Sequence, residues 1–235
     1  MTFRTASSSL KPPSLPPIVQ TGAPVLRTRA AEIPAHRIAT AEFQELIELM
    51  IATMREAPGV GLAAPQIGLP IRLIVLEDRE EQLVKVPEED RRLRERTPFL
   101  ARVFVNPVLT VLGQERVTFF EGCLSVEGFV ALVERSREVS VTGLDETGTL
   151  QTWQVRGWPA RILQHEVDHL NGTLYIDRMQ SRSFSIAANA TKFYGGKSIA
   201  EVREIVGISP IIPPAIPAAI PPAIPAAIPG DAHEH

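Results

Sequence analysis

Apolar residues recur at helical spacing in one early stretch. Phe43, Leu46, Ile47, Met50, Ile51 and Met54 share a face over residues 40–56. Thr40 is placed to cap that helix, and Pro58 with Gly59 to end it. The pattern then changes. IRLIVLE (71–77) is a short continuous apolar run and predicts a strand. Residues 78–98 are charged and broken by Pro87 and Pro98, which predicts a surface excursion, partly helical around 88–96. Four strands are expected next, over 101–112, 114–121, 129–145 and 150–157. Asn106-Pro107, Gly113, Gly128 and residues 145–148 are the turn signals between them. PARILQHEVDHL (159–170) reads as a helix, with Pro159 in its first turn and Asn171-Gly172 at its stop. TLYID (173–177) reads as a short strand, and Ser198 caps a last helix over 198–206. Strands followed by a packed helix predict an α+β fold with mainly antiparallel sheets.

The two ends differ from this pattern. Residues 1–17 are rich in Pro and Ser and read as a disordered leader. PAIPAAIP occurs at 214–221 and again at 222–229. Proline that frequent excludes helix and sheet pairing, so residues 208–235 read as an extended, passive tail. A catalytic domain is expected over 18–207.

Composition narrows the function. The chain has 235 residues, 44% of them hydrophobic, and a net charge of −3. That is enough for one buried core and supplies no basic field for nucleic acid; no nucleic-acid-binding motif is present. The single cysteine, Cys123, excludes an internal disulfide. No apolar run is long enough for a membrane span, and the N-terminus lacks a secretory core. A cytoplasmic location is expected. The leader is basic, with no acid before Glu32, which keeps organellar import open.

Three segments carry chemistry. In His165-Glu166-Val167-Asp168-His169, an HExxH pattern, the two histidines lie one helical turn apart on one face and can grip one ion. Glu166 is positioned beside any water on that ion, an arrangement suited to metal-assisted hydrolysis. A third ligand is needed. Cys123, in Glu121-Gly-Cys-Leu-Ser125, is the stronger candidate, although a lone cysteine is more often a buried apolar side chain. Asp177, Glu201 and Glu204 stay open as ligands of a zincin-like peptidase. The third segment, GVGLAAPQIG (59–68), lacks the residues of a phosphate loop, and its small residues allow close backbone approach.

GVGLAAPQIG, EGCLS and QHEVDH, in that order, resemble the three signature motifs of the peptide deformylases. The resemblance runs over about residues 18–207 and takes in VQTGAPVLR (19–27). It implies one divalent cation on Cys123, His165 and His169, natively Fe²⁺, with Zn²⁺, Ni²⁺ or Co²⁺ as substitutes. It implies a hydrolase that removes the formyl group from formyl-methionine of nascent chains, in transient proximity to the ribosome. Glu166 is then the general acid/base, and the Gln66 side chain and Leu124 N–H polarise the formyl oxygen. Gly61 bonds the substrate backbone. By position, Val60, Trp158, Ile162 and the edge of His165 line the methionine pocket. Asp168 is expected to pair with Arg135 and orient the ligand helix. Val130 stands where many family members carry an arginine, which predicts weaker anchoring of the peptide. A catalytically altered, peptide-binding relative is the remaining alternative.

Overall fold

The computed structural model describes residues 15–208. Nearly all of the leader and tail therefore lies outside the described residues. The helices in chain order are α1 (Ala35–Ile38), α2 (Ala41–Glu56), α3 (Glu80–Leu83), α4 (Glu88–Leu93), α5 (Trp158–Leu170), α6 (Ala187–Tyr194) and α7 (Ile199–Ile205). The strands are β1 (Gly61–Ala63), β2 (Leu73–Asp78), β3 (Phe99–Cys123), β4 (Val126–Leu144), β5 (Leu150–Arg156) and β6 (Ser185–Ile186). They form one antiparallel sheet in the order β1-β2-β3-β4-β5, with β6 paired to β4.

The core explains why β2 is apolar on every residue of its centre. Leu73 and Val75 pack with Phe43, Ile47, Met50 and Met54 of α2. Ile74 and Leu76 point the other way, onto Ile162, Leu163 and Val167 of α5. A strand alternates its side chains, so one that lies between two helices must be hydrophobic at both parities. The expected helix at 40–56 forms, and the Thr40 side chain accepts from Phe43 N–H. Ser198 likewise caps α7, in a reciprocal box with Glu201.

Two expectations fail for local reasons. The strands over 101–112 and 114–121 are one strand, β3. Asn106 (φ 52°) and Gly113 (φ 67°) adopt left-handed backbone, as turn residues do, but here they sit in bulges. Asn106 is held there by its amide, which bonds both N–H and C=O of Ile33 at 2.9 Å. TLYID is not a strand. Residues Tyr175–Asp177 form a single 3₁₀ turn, closed by Leu174 N–H donating to the Asp177 carboxylate at 2.8 Å. Helix α6 was not expected from the sequence.

Candidate metal centre

The β3–β4 hairpin and α5 bring the chemical residues together. Cys123 ends β3, and Leu124 and Ser125 make the two-residue turn into β4. Helix α5 starts at Gly157, whose φ of 67° suits glycine. A side chain there would strike Glu95 Cβ at 2.4 Å and the Arg94 carbonyl at 2.8 Å. Burial of Ile162, Leu163 and Leu170 presses α5 onto the sheet, and His165 and His169 are then presented to Cys123.

One ligand atom from each of Cys123, His165 and His169 lies within 4.8 Å of the others. It is the one such cluster among the described residues. Cys123 Sγ is 3.3 Å from His169 Nε2. His165 Nδ1 is occupied by the Glu121 carboxylate at 3.1 Å, which leaves Nε2 for a ligand. Burial holds the His169 pKa well below its usual value, as do the charges of His165 and Arg135. Burial also works against a charge on His165, but its Cys123 and Glu121 partners outweigh that and hold its pKa well above the usual value. One cysteine sulfur and two imidazole nitrogens, all more than half-buried, are a donor set that fits a divalent cation, which would bind them as thiolate and neutral imidazoles. Two of the three acids left open as alternative ligands are engaged elsewhere, and none joins the cluster of Cys123, His165 and His169. Asp177 accepts from Arg27 and Leu174 N–H, and the Glu201 carboxylate accepts from Ser198 N–H and Oγ.

Glu166 is 4% exposed and its Oε2 has no partner. Burial pushes its pKa up to about 7, against the opposing pull of His165. It rests on Gly61, where a Cβ would come 2.3 Å from Glu166 Oε1. Glycine at 61 is therefore a condition for the carboxylate to be where it is. Gln66 is fixed by Ala63 N–H donating to its Oε1 at 2.8 Å, which turns its Nε2 toward Cys123 Sγ, 3.6 Å away. The VQTG segment ties these pieces together. Val19 N–H donates to the Gln66 carbonyl at 2.9 Å, and Gln20 Nε2 to the Leu124 carbonyl at 2.9 Å.

One cavity brings most of the expected residues together. Val60, Gly61, Gln66, Cys123, Leu124, Trp158, Ile162, His165 and Glu166 all line one cavity of about 440 Å³, and only His169 of the expected set is absent from its wall. His169 is fully buried behind the others. Sequence reasoning gave no role to Glu121, Arg161 or Tyr175. Glu121 sits two residues before Cys123 and so on the same face of β3, a signal the strand period carries. It receives Arg135 at 2.9 and 3.0 Å and Arg161 at 2.6 Å, besides His165. Burial works against the Glu121 carboxylate, but His165 and Arg135 outweigh it and hold its pKa well below the usual range. Asp168 pairs with Arg135, as expected, and also with Arg178 at 2.6 Å. It is 7% exposed, so the pair is buried rather than superficial.

Comparison with known proteins gives the family. The family model described as polypeptide deformylase matches residues 15–185. The chain belongs to the polypeptide deformylase family. Among its deformylase relatives, the human mitochondrial peptide deformylase is 46% identical, over 75% of this chain and 73% of that protein. Peptide deformylase 1A of Solanum lycopersicum, named as chloroplastic, is 49% identical over 76% of this chain. The chain spans 65% of the length of that relative and of its Arabidopsis thaliana counterpart. Among solved deformylases, the Met-Ala-Ser-bound class I type b enzyme of Acinetobacter baumannii is 36% identical, with a TM-score of 0.63 over 71% of this chain and 99% of that one.

Proposed function

We propose that this chain removes the formyl group from formyl-methionyl N-termini of newly made proteins and releases formate. The observation that carries the reading is the buried Cys123, His165 and His169 cluster with Glu166 beside it at the wall of one cavity. Cys123, His165 and His169 would hold a divalent cation, Fe²⁺ in the cell, with Zn²⁺, Ni²⁺ or Co²⁺ able to replace it. When bound, that cation supplies Lewis acidity and lowers the pKa of a water.

The residues of the chain do the rest. Glu166 accepts a proton from the attacking water, whose oxygen bonds to the formyl carbon. The Gln66 amide and Leu124 N–H donate to the formyl oxygen as it gains negative charge. Glu166 then gives its proton to the methionine nitrogen as the C–N bond breaks, and formate and a free amine leave. A raised pKa suits a carboxyl that must both take and return a proton. Val60, Trp158 and Ile162 hold the methionine side chain, and Gly61 bonds the peptide backbone. Glu121 fixes the His165 ring, while Arg135, Asp168 and Arg178 fix α5.

We place this work in the cytoplasm, close to the ribosome where formylated chains emerge. No helix among the described residues is long and apolar enough to cross a membrane. The Met-Ala-Ser bound to the Acinetobacter enzyme has the form of a product peptide, which favours the same substrate class here. The test is formate release from formyl-Met-Ala-Ser by Fe²⁺-loaded protein purified without oxygen, beside Glu166→Ala and Cys123→Ser. Release by the wild type and near-complete loss in both variants is expected. A metal-loaded wild type with no release would overturn the reading.

A further inference from the structure

A second cavity adjoins the catalytic one. It measures about 370 Å³, lies between α4, β3 and the α6–α7 pair, and shares Val130 and Ala187 with its neighbour. Arg94, the residue after α4, lines it. Its guanidinium lies between two aromatic rings, 5.4 Å from the Phe119 centroid and 5.2 Å from that of Trp158. Arg96 covers Trp158 as well, at 5.1 Å, and Arg161 covers Phe119, at 5.2 Å. The result is a ladder of three cations and two rings.

The outer cations are neutralised. Arg96 is bound by Asp78 at 2.7 and 2.9 Å, and Arg161 by Glu121 at 2.6 Å. Arg94 differs. Among the described residues, no carboxylate oxygen comes within 4.0 Å of its side chain, and that side chain makes no hydrogen bond. Aromatic faces stabilise a cation but accept none of its five N–H donors. A planar fork fixed by two rings, with its donors free, is complementary to a carboxylate. Lys197 adds a second positive charge to this cavity, and Asp90 is its one acid.

We propose that the second cavity receives the substrate chain beyond the formyl-methionine, and that Arg94 binds a carboxylate there. The carboxylate is an acidic side chain at the second or third residue, or the C-terminus of a short peptide. The inference rests on the deformylase reading. Arg94 would thus bias which N-termini this enzyme processes fastest. Asp90 opposes the bias, so its removal strengthens it.

The experiment measures kcat/KM for formyl-Met tripeptide amides with Glu, Gln or Lys at the second or third position, and for formyl-Met-Ala-Ser as acid and as amide. Wild type, Arg94→Met, Arg94→Lys and Asp90→Asn are compared, with folding checked by circular dichroism. Wild type is expected to favour a carboxylate-bearing peptide over its neutral partner by about fivefold, as a partly desolvated charge pair allows. Arg94→Met brings the ratio to near one, Arg94→Lys keeps part of it, and Asp90→Asn raises it. If the ratio appears only for acid against amide, the C-terminus is the ligand; if only for Glu against Gln, the side chain is. Ratios near one in wild type, or unchanged in Arg94→Met, overturn the proposal while leaving deformylation standing. If no peptide is deformylated, titration calorimetry of Met-Ala-Glu-amide against Met-Ala-Gln-amide on the metal-loaded chain decides the same question: tighter binding of the Glu peptide supports it, and equal binding sinks it. Should Arg94→Met not fold, Arg94→Lys and Asp90→Asn carry the test in the same directions.

Discussion

Helix α5 carries two kinds of polar residue, and they are treated in opposite ways. Gln164 and Asp168 are fully engaged. Gln164 accepts from Ser136 N–H at 3.0 Å and donates to the Ser136 carbonyl at 2.8 Å, while Asp168 holds two arginines. Glu166 Oε2, His169 Nδ1 and Trp158 Nε1, on the same helix, are buried without partners. Only five such atoms occur among the described residues, so three on one helix is a concentration rather than background. Unpaired buried polar atoms cost stability, and a fold keeps them where a ligand or reaction uses them. The engaged residues hold the helix still, and the unpaired Glu166 carboxylate is the one the proposed reaction uses.

Four substitutions sharpen that contrast. Glu166→Ala has the largest expected effect, a fall in kcat of about 10²–10⁴-fold, because the proton carrier is gone. Its metal content, measured by mass spectrometry, stays at one per chain. Arg135→Met attacks the engaged set instead. It strands Glu121 and Asp168 with fewer partners and costs about 3 kcal/mol, read by urea unfolding. Equal stability would show that Arg161 and Arg178 suffice alone. Gly61→Ala leaves every polar group in place but displaces the Glu166 carboxylate. A fall of about 10²-fold in kcat is expected, with a near-native melting temperature. Undiminished activity would mean that Glu166 acts from another position.

The smallest effect lies far from the centre, in the β4–β5 turn. Thr147 Oγ1 donates to Asp145 Oδ1 at 2.7 Å, and this bond, with turn N–H groups, holds the Asp145 pKa below its usual value. A depressed carboxylate pKa stabilises the fold above the unfolded value and loses that contribution as pH falls through the folded one. Asp145→Ala should therefore cost about 0.5 kcal/mol at most at pH 7, since solvent screens this surface turn, and less near pH 2, with calorimetric scans at both values as the check. A loss that persists undiminished at pH 2 would mean that the side chain acts by packing rather than charge.

The parts of the centre that were legible in the sequence are those with short-range signatures. His165, Glu166 and His169 declare themselves by helical spacing, and Cys123 and Gln66 sit among small residues in recognisable segments. Their supports were less visible, because they are long-range. Arg161 reaches Glu121 across 40 positions and Arg178 closes on Asp168 from beyond the helix. Only the Arg135–Asp168 pair was anticipated. The fold reading failed where one residue type serves two purposes. Asn106 and Gly113 supply left-handed backbone, which a turn and a bulge need alike, and the choice is made by distant groups such as Ile33.

The central claim is that Cys123, His165 and His169 hold one cation. Titration of the metal-free chain with Co²⁺, followed by its thiolate charge-transfer absorption, tests this without relying on turnover. One Co²⁺ per chain with a thiolate band is predicted, with the band lost and affinity sharply reduced in Cys123→Ser. Binding with no thiolate band, or undiminished binding by Cys123→Ser, would contradict the account.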